Sequence, residues 1–140
     1  TGIRIGELAR RTGARIDTIR YYEREGLISE PDRSEGNFRL YLEPDVERLR
    51  FIRHCRSLDM SLSEIRVLLE SRDHPECGCS EVIALVDKHL EELAGRITQL
   101  TSLQGHLREL RQQCGPGRAA RDCGILKELA QSSGSEEAQA

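Results

Sequence analysis

SEVIALVDKHLEELAGRITQLTSLQGHLRELRQQ, residues 80–113, decides how this chain is read. The stretch holds no proline. Its apolar positions Val82, Val86, Leu90, Leu93, Ile97, Leu100, Leu103, Leu107 and Leu110 recur in steps of mostly four and three. That pattern predicts one long helix carrying a coiled-coil seam. So narrow a stripe cannot be buried by its own chain; it asks for a partner, and self-pairing is the simplest. Cys77 and Cys79 lie just before the helix, while Cys114 and Cys123 bracket a Gly/Pro loop just after it. At 1.5 Å rise per residue, Cys79 and Cys114 stand roughly 50 Å apart in one chain. They meet only if a second copy packs antiparallel. A homodimer with two equivalent thiolate sites, each built from both chains, is therefore expected.

Working back toward the N-terminus, Ile5, Leu8 and Ala9 give a short amphipathic helix that Gly13 turns. A second helix follows, with Asp17 or Thr18 near its start, Ile19, Tyr22 and Ile16 inward, and Gly26 where a helix ends. Two short helices joined by a Gly-containing turn outline a helix-turn-helix. Pro31-Asp32-Arg33-Ser34-Glu35-Gly36-Asn37 is rich in turn formers, and Phe38-Arg39-Leu40-Tyr41 alternates apolar with polar, so a small hairpin or wing is expected there. Pro44 opens a helix through Val46, Leu49, Phe51, Ile52 and Cys55. Ser61 and Glu64 form a capping box ahead of Leu62, Ile65, Leu68 and Leu69. The expected fold is mainly α. A winged helix-turn-helix DNA-binding unit (1–75) leads into a hinge and long antiparallel dimerisation helix (76–113). A metal-binding loop with a short helix (114–131) follows, then a low-complexity, disordered tail (132–140).

Composition narrows the function. Charged residues make up 32% and aromatics 4%, so the core is aliphatic and helical. A formal charge of −3 argues against a uniformly basic nucleic-acid binder, but the distribution is uneven. Only Lys88 and Lys127 are lysine, and most arginines precede residue 73, where planar two-pronged contacts to phosphates and guanine edges would use them. Five cysteines without a secretory signal or a membrane-length apolar run fit a cytoplasmic chain with reduced thiols.

Several stretches together resemble the MerR family of transcription regulators: Ile5-Gly6-Glu7-Leu8-Ala9, Thr18-Ile19-Arg20-Tyr21-Tyr22-Glu23, Gly26-Leu27, Gly36-Asn37-Phe38-Arg39-Leu40-Tyr41 and Ile52-Arg53-His54-Cys55-Arg56-Ser57-Leu58-Asp59-Met60. The resemblance extends to about residue 130 and is strongest to the branch that answers to cadmium and lead. It implies a dimer seated on a promoter whose elements are too far apart, with metal making it untwist the DNA so that RNA polymerase engages. Arg15, Thr18, Arg20 and Tyr21 on the second helix suit the major groove, and Arg33, Asn37, Arg39 and Tyr41 on the wing suit the flanking backbone. Tyr21 is open to a core reading as well. A palindromic operator follows from a dimeric reader.

Cys114 and Cys123 are set around Gly115-Pro116-Gly117, a loop able to fold both sulfurs around one ion. Two thiolates alone favour linear coordination of a monovalent soft ion. A third, from the other chain, favours Cd(II), Pb(II) or Hg(II) and allows Zn(II). The branch pattern places its cysteine directly ahead of the helix, which favours Cys79; a helix N-terminus also supports a thiolate. Cys77 is a further, alternative or spare ligand. Cys55 reads as a small buried hydrophobe. His74 and His89 are secondary candidates for zinc. Cd(II) or Pb(II) is the expected effector, with Zn(II) or Hg(II) as alternatives. A thiol-based redox sensor is the main rival, whereas an enzyme is not expected, because no nucleophile is paired with an oriented base.

Overall fold

The computed structural model describes residues 2–131; the tail expected to be disordered, 132–140, lies outside the described residues. The chain is mainly helical and divides into two compact units, one up to Asp87 and one from Lys88 onward. No helix among the described residues is long and apolar enough to cross a membrane.

The first unit opens with α1 (Ile5–Thr12) and α2 (Ile16–Arg24). Gly13, at φ 76°, closes α1 by donating its N–H to the Ala9 carbonyl at 2.8 Å, a left-handed geometry that favours glycine. Gly26 takes the same conformation just past α2 and lets Leu27 and Ile28 turn inward, where both are buried. Ile16, expected inward, is instead exposed, because it is the first residue of α2 and lies outside the packed turn. Strands β1 (Asp32–Arg33) and β2 (Arg39–Leu40) pair antiparallel, Asp32 opposite Leu40 and Arg33 opposite Arg39. Tyr41, just past β2, pairs with Ile3 through two 2.7 Å backbone hydrogen bonds, so the N-terminal segment extends the wing.

Helix α3 (Glu43–Ser57) starts where the Asp45 carboxylate accepts the Leu42 N–H at 2.8 Å. Helix α4 (Leu62–Asp73) starts on the expected capping box: Ser61 Oγ accepts the Glu64 N–H at 3.1 Å, and Glu64 Oε1 accepts the Ser61 N–H at 2.9 Å. Leu8, Ile19, Leu27, Ile28, Tyr41, Val46, Leu49, Ile52 and Ile65 form the fully buried centre, and Val82 and Leu85 pack against its edge. Arginines stitch this unit together. Arg53 donates to the Thr12 carbonyl, Arg48 donates to the Leu27 carbonyl at 2.6 Å and pairs with Asp73 at 2.9 Å, and Arg11 pairs with Glu43. Arg53 and Arg48 thereby satisfy carbonyls at the end of α1 and just past α2.

Helix α5 (Ser80–Arg111) runs 32 residues, about 48 Å at the α-helical rise. In the second unit it leaves Leu90, Ile97, Leu100, Leu103 and Leu107 between 51 and 65% exposed. A 3-10 turn (Ala120–Asp122) and α6 (Gly124–Gln131) follow.

Candidate metal centre and nucleic-acid face

The chain leaves α5 at Arg111, whose guanidinium folds forward to donate to the Cys114 carbonyl at 2.9 Å. Gly117, at φ 86°, reverses the loop, and the 3-10 turn delivers Cys123 to the start of α6. Cys114 and Cys123 are both half-buried and lie near enough for one thiol to affect the other, while the Cys114 Sγ donates to the Gly115 carbonyl at 3.5 Å. The Cys123 thiol is held below its ordinary pKa first by the Leu126 backbone N–H, then by Cys114 and by the Ile125 N–H. Two adjacent sulfurs, one biased toward the thiolate, are a donor set suited to a soft cation. Gly124 makes the approach possible: its backbone lies so close to Gln113 that a Cβ there would sit 2.3 Å from the Gln113 carbonyl oxygen.

Cys77 and Cys79 belong to the first unit, where both are exposed. The Cys79 carbonyl accepts the Ile83 N–H at 3.0 Å, so Cys79 stands at the entry to α5. Cys77 donates its N–H to the His74 carbonyl at 3.1 Å. His74, just past α4, has its Nδ1 2.9 Å from the Glu70 carbonyl, and His89 is buried on α5. Cys55 is buried among the core residues, and burial pushes its thiol pKa up, in keeping with a packing role.

On α2, Arg15, Arg20 and Tyr21 are exposed and Thr18 is half-buried. Tyr21, 39% exposed with the Arg24 guanidinium 5.9 Å from its ring centre, is a surface residue, which removes the core reading. On the wing, exposed Arg33 donates to the Asn37 carbonyl at 3.1 Å, and Asn37 holds the turn at φ 64°. Arg39 is half-buried, its Nε 3.4 Å from Glu23 of α2. Tyr41 is a correction: expected on the DNA side of the wing, it is fully buried and its hydroxyl donates to Glu23 Oε2 at 2.9 Å. The bridge to Ile3 turns it into the core, so it supports the wing and cannot touch DNA. Glu23 thus ties α2 to the wing. Its carboxylate, with Arg20, Arg24, Glu30 and Arg39, lines a shallow cleft between the two. Sequence reading passed over Glu23 and Arg24, although both follow Tyr22 on the helix already assigned to DNA. It also passed over Arg4, whose guanidinium stacks 4.2 Å above the ring of Phe38 on the wing.

Residues 3–72 match the profile described as MerR HTH family regulatory protein, and residues 46–110 match that described as MerR, DNA binding. The chain is 45% identical over 130 residues to the HTH-type transcriptional regulator ZntR of Escherichia coli K12, covering 91% of this chain and 92% of that protein. It is 36% identical over 126 residues to the mercuric resistance operon regulatory protein of Bacillus cereus, covering 90% and 96%. Among solved structures, the transcription regulator PbrR691 from Ralstonia metallidurans CH34 in complex with lead(II) superposes with a TM-score of 0.83 at 51% identity, covering 91% of this chain and 98% of that one.

Proposed function

This chain belongs to the MerR family of helix-turn-helix regulatory proteins, and from that premise we propose that it is a metal-responsive transcription regulator acting as a homodimer on a palindromic promoter operator. Cd(II) or Pb(II), held by cysteine thiolates, is the effector. The observation that carries this reading is the meeting of Cys114 and Cys123 at the end of α5, with the Cys123 thiol biased toward its charged form. The lead(II) complex of a relative 51% identical favours lead or a similar soft ion. The mercuric resistance regulator among the relatives keeps Hg(II) as the alternative, and thiolates also accept Zn(II). The family consists of DNA-binding regulators rather than enzymes.

The exposed leucines of α5 support the dimer, since a stripe of this length in water favours association. With two copies antiparallel, Cys79 of the partner subunit supplies the third sulfur, and Cys77 stands close enough in sequence to replace or join it. A bound ion supplies a cross-link among these sulfurs. Cys114 and Cys123 then order the loop at 114–123 and draw α6 toward the start of the other copy's α5, which leads directly from that copy's DNA-reading unit. Arg15, Thr18, Arg20 and Tyr21 hold the bases and adjoining backbone, while Arg33, Asn37 and Arg39 hold the flanking phosphates. Ordering the loop changes the angle between the two readers, so the operator is untwisted with little change in affinity and RNA polymerase engages. The setting is cytoplasmic, and the regulated genes serve heavy-metal resistance or efflux.

The deciding experiment is promoter transcription during metal titration of the wild type and of Cys77→Ser, Cys79→Ser, Cys114→Ser and Cys123→Ser. Induction should vanish for the last three. A mixed dimer with Cys79→Ser on one chain and Cys114→Ser on the other should keep one intact site. Full induction of Cys114→Ser and Cys123→Ser would overturn the reading in favour of a site elsewhere. A thiol redox sensor, the competing use of two neighbouring sulfurs, would instead respond to oxidant and show no thiolate-to-metal absorption on adding Cd(II) or Pb(II).

A further inference from the structure

We propose that Gly124 is the positioning residue of the thiolate site: its missing side chain lets the start of α6 seat against the end of α5, so that Cys114 and Cys123 can close on one soft ion, small or large. The proposal rests on the functional reading above in taking these two cysteines as ligands. Its ground is steric. A Cβ at position 124 would lie 2.3 Å from the Gln113 carbonyl oxygen, 3.1 Å from Gln113 Cβ and 3.2 Å from the Gln113 carbonyl carbon. The nearest atom is backbone, so no side-chain rotation relieves the overlap. Ordinary van der Waals contact begins at 3.4 Å. A methyl would therefore force the two segments apart by about 1 Å in packing that tolerates little overlap.

The displacement reaches the sulfurs directly. Gln113 immediately precedes Cys114, and Gly124 immediately follows Cys123, so no residue lies between the contact and either ligand. Metal–ligand distances are held to about 0.2 Å, and Zn–S bonds are short, about 2.3 Å. A span widened by about 1 Å therefore disfavours Zn(II) and Pb(II) alike. Gly105, on α5 and away from both cysteines, has nothing within 4 Å of an added Cβ. It supplies the control.

Two measurements on the full-length chain test this. In chelator competition with Zn(II) alone and Pb(II) alone, Gly124→Ala should lose about tenfold or more in affinity for each ion, the scale expected of a supporting residue. Gly105→Ala should stay near wild type for both ions. In a glutathione redox buffer, two protein thiols form a disulfide as one glutathione disulfide is reduced to two thiols. The equilibrium constant for Cys114–Cys123 should fall several-fold in Gly124→Ala and hold in Gly105→Ala, with circular dichroism confirming an unchanged helix content. A wild-type disulfide equilibrium in Gly124→Ala, or wild-type affinity for either ion, overturns the proposal. If the wild type takes up neither ion, the functional reading falls, and the disulfide equilibrium still passes judgement on Gly124.

Discussion

Tyr41 shows what a single side chain contributes to the reader. Its hydroxyl donates to Glu23, while burial and that carboxylate hold the phenol neutral well above its usual pKa near 10. Because the folded-state value is raised, the associated stability is fully present below about pH 10 and is lost as pH climbs past it, where the unfolded phenol ionises first. Tyr41→Phe should cost about 1–2 kcal/mol at neutral pH, read by urea unfolding, since Glu23 loses its hydroxyl donor. The gap between wild type and variant should narrow above about pH 10. A constant gap would mean the phenol does not stay protonated in the fold. Local alternation in Phe38-Arg39-Leu40-Tyr41 could not foretell this inward turn, because it depends on the backbone pairing with Ile3, far away in sequence. The arginine stitches were hidden for the same reason: Arg53 and Thr12 meet only once α1 and α3 have packed.

At the scale of elements, the sequence was far more open. Glycines at 13 and 26, the Ser61–Glu64 box and the leucine periodicity of α5 are local signals, and each element formed where they pointed. Ser61→Ala should destabilise the first unit by about 1 kcal/mol through the lost cap on α4, measured by thermal unfolding, with Ser61→Asp recovering most of it. On α5, Leu100 is 64% exposed in the single chain, so Leu100→Glu should leave helix content and the first unit intact. Sedimentation should nevertheless show a monomer, and operator binding should drop sharply. A dimeric Leu100→Glu variant would place the seam on another face. The closeness of Cys114 and Cys123 was foreshadowed by the loop-forming residues between them, but their span was not, because it depends on the backbone contact between Gly124 and Gln113.

For the whole molecule, a cation bound only by the folded dimer adds its binding free energy to stability, about 2.7 kcal/mol at a hundredfold excess over Kd. Adding Pb(II) should raise the melting temperature of the wild type and not that of Cys114→Ser, and a chelator should return the wild type to its starting value. A shift retained in Cys114→Ser would locate the cation elsewhere. The wetted leucines of α5 have a separate consequence for the cell. If α5 pairs two copies as proposed, a reader whose halves hold together only by mass action has an abundance threshold, below which subunits leave the DNA singly. The dose of the protein, and not only that of the effector, would then set when regulation begins.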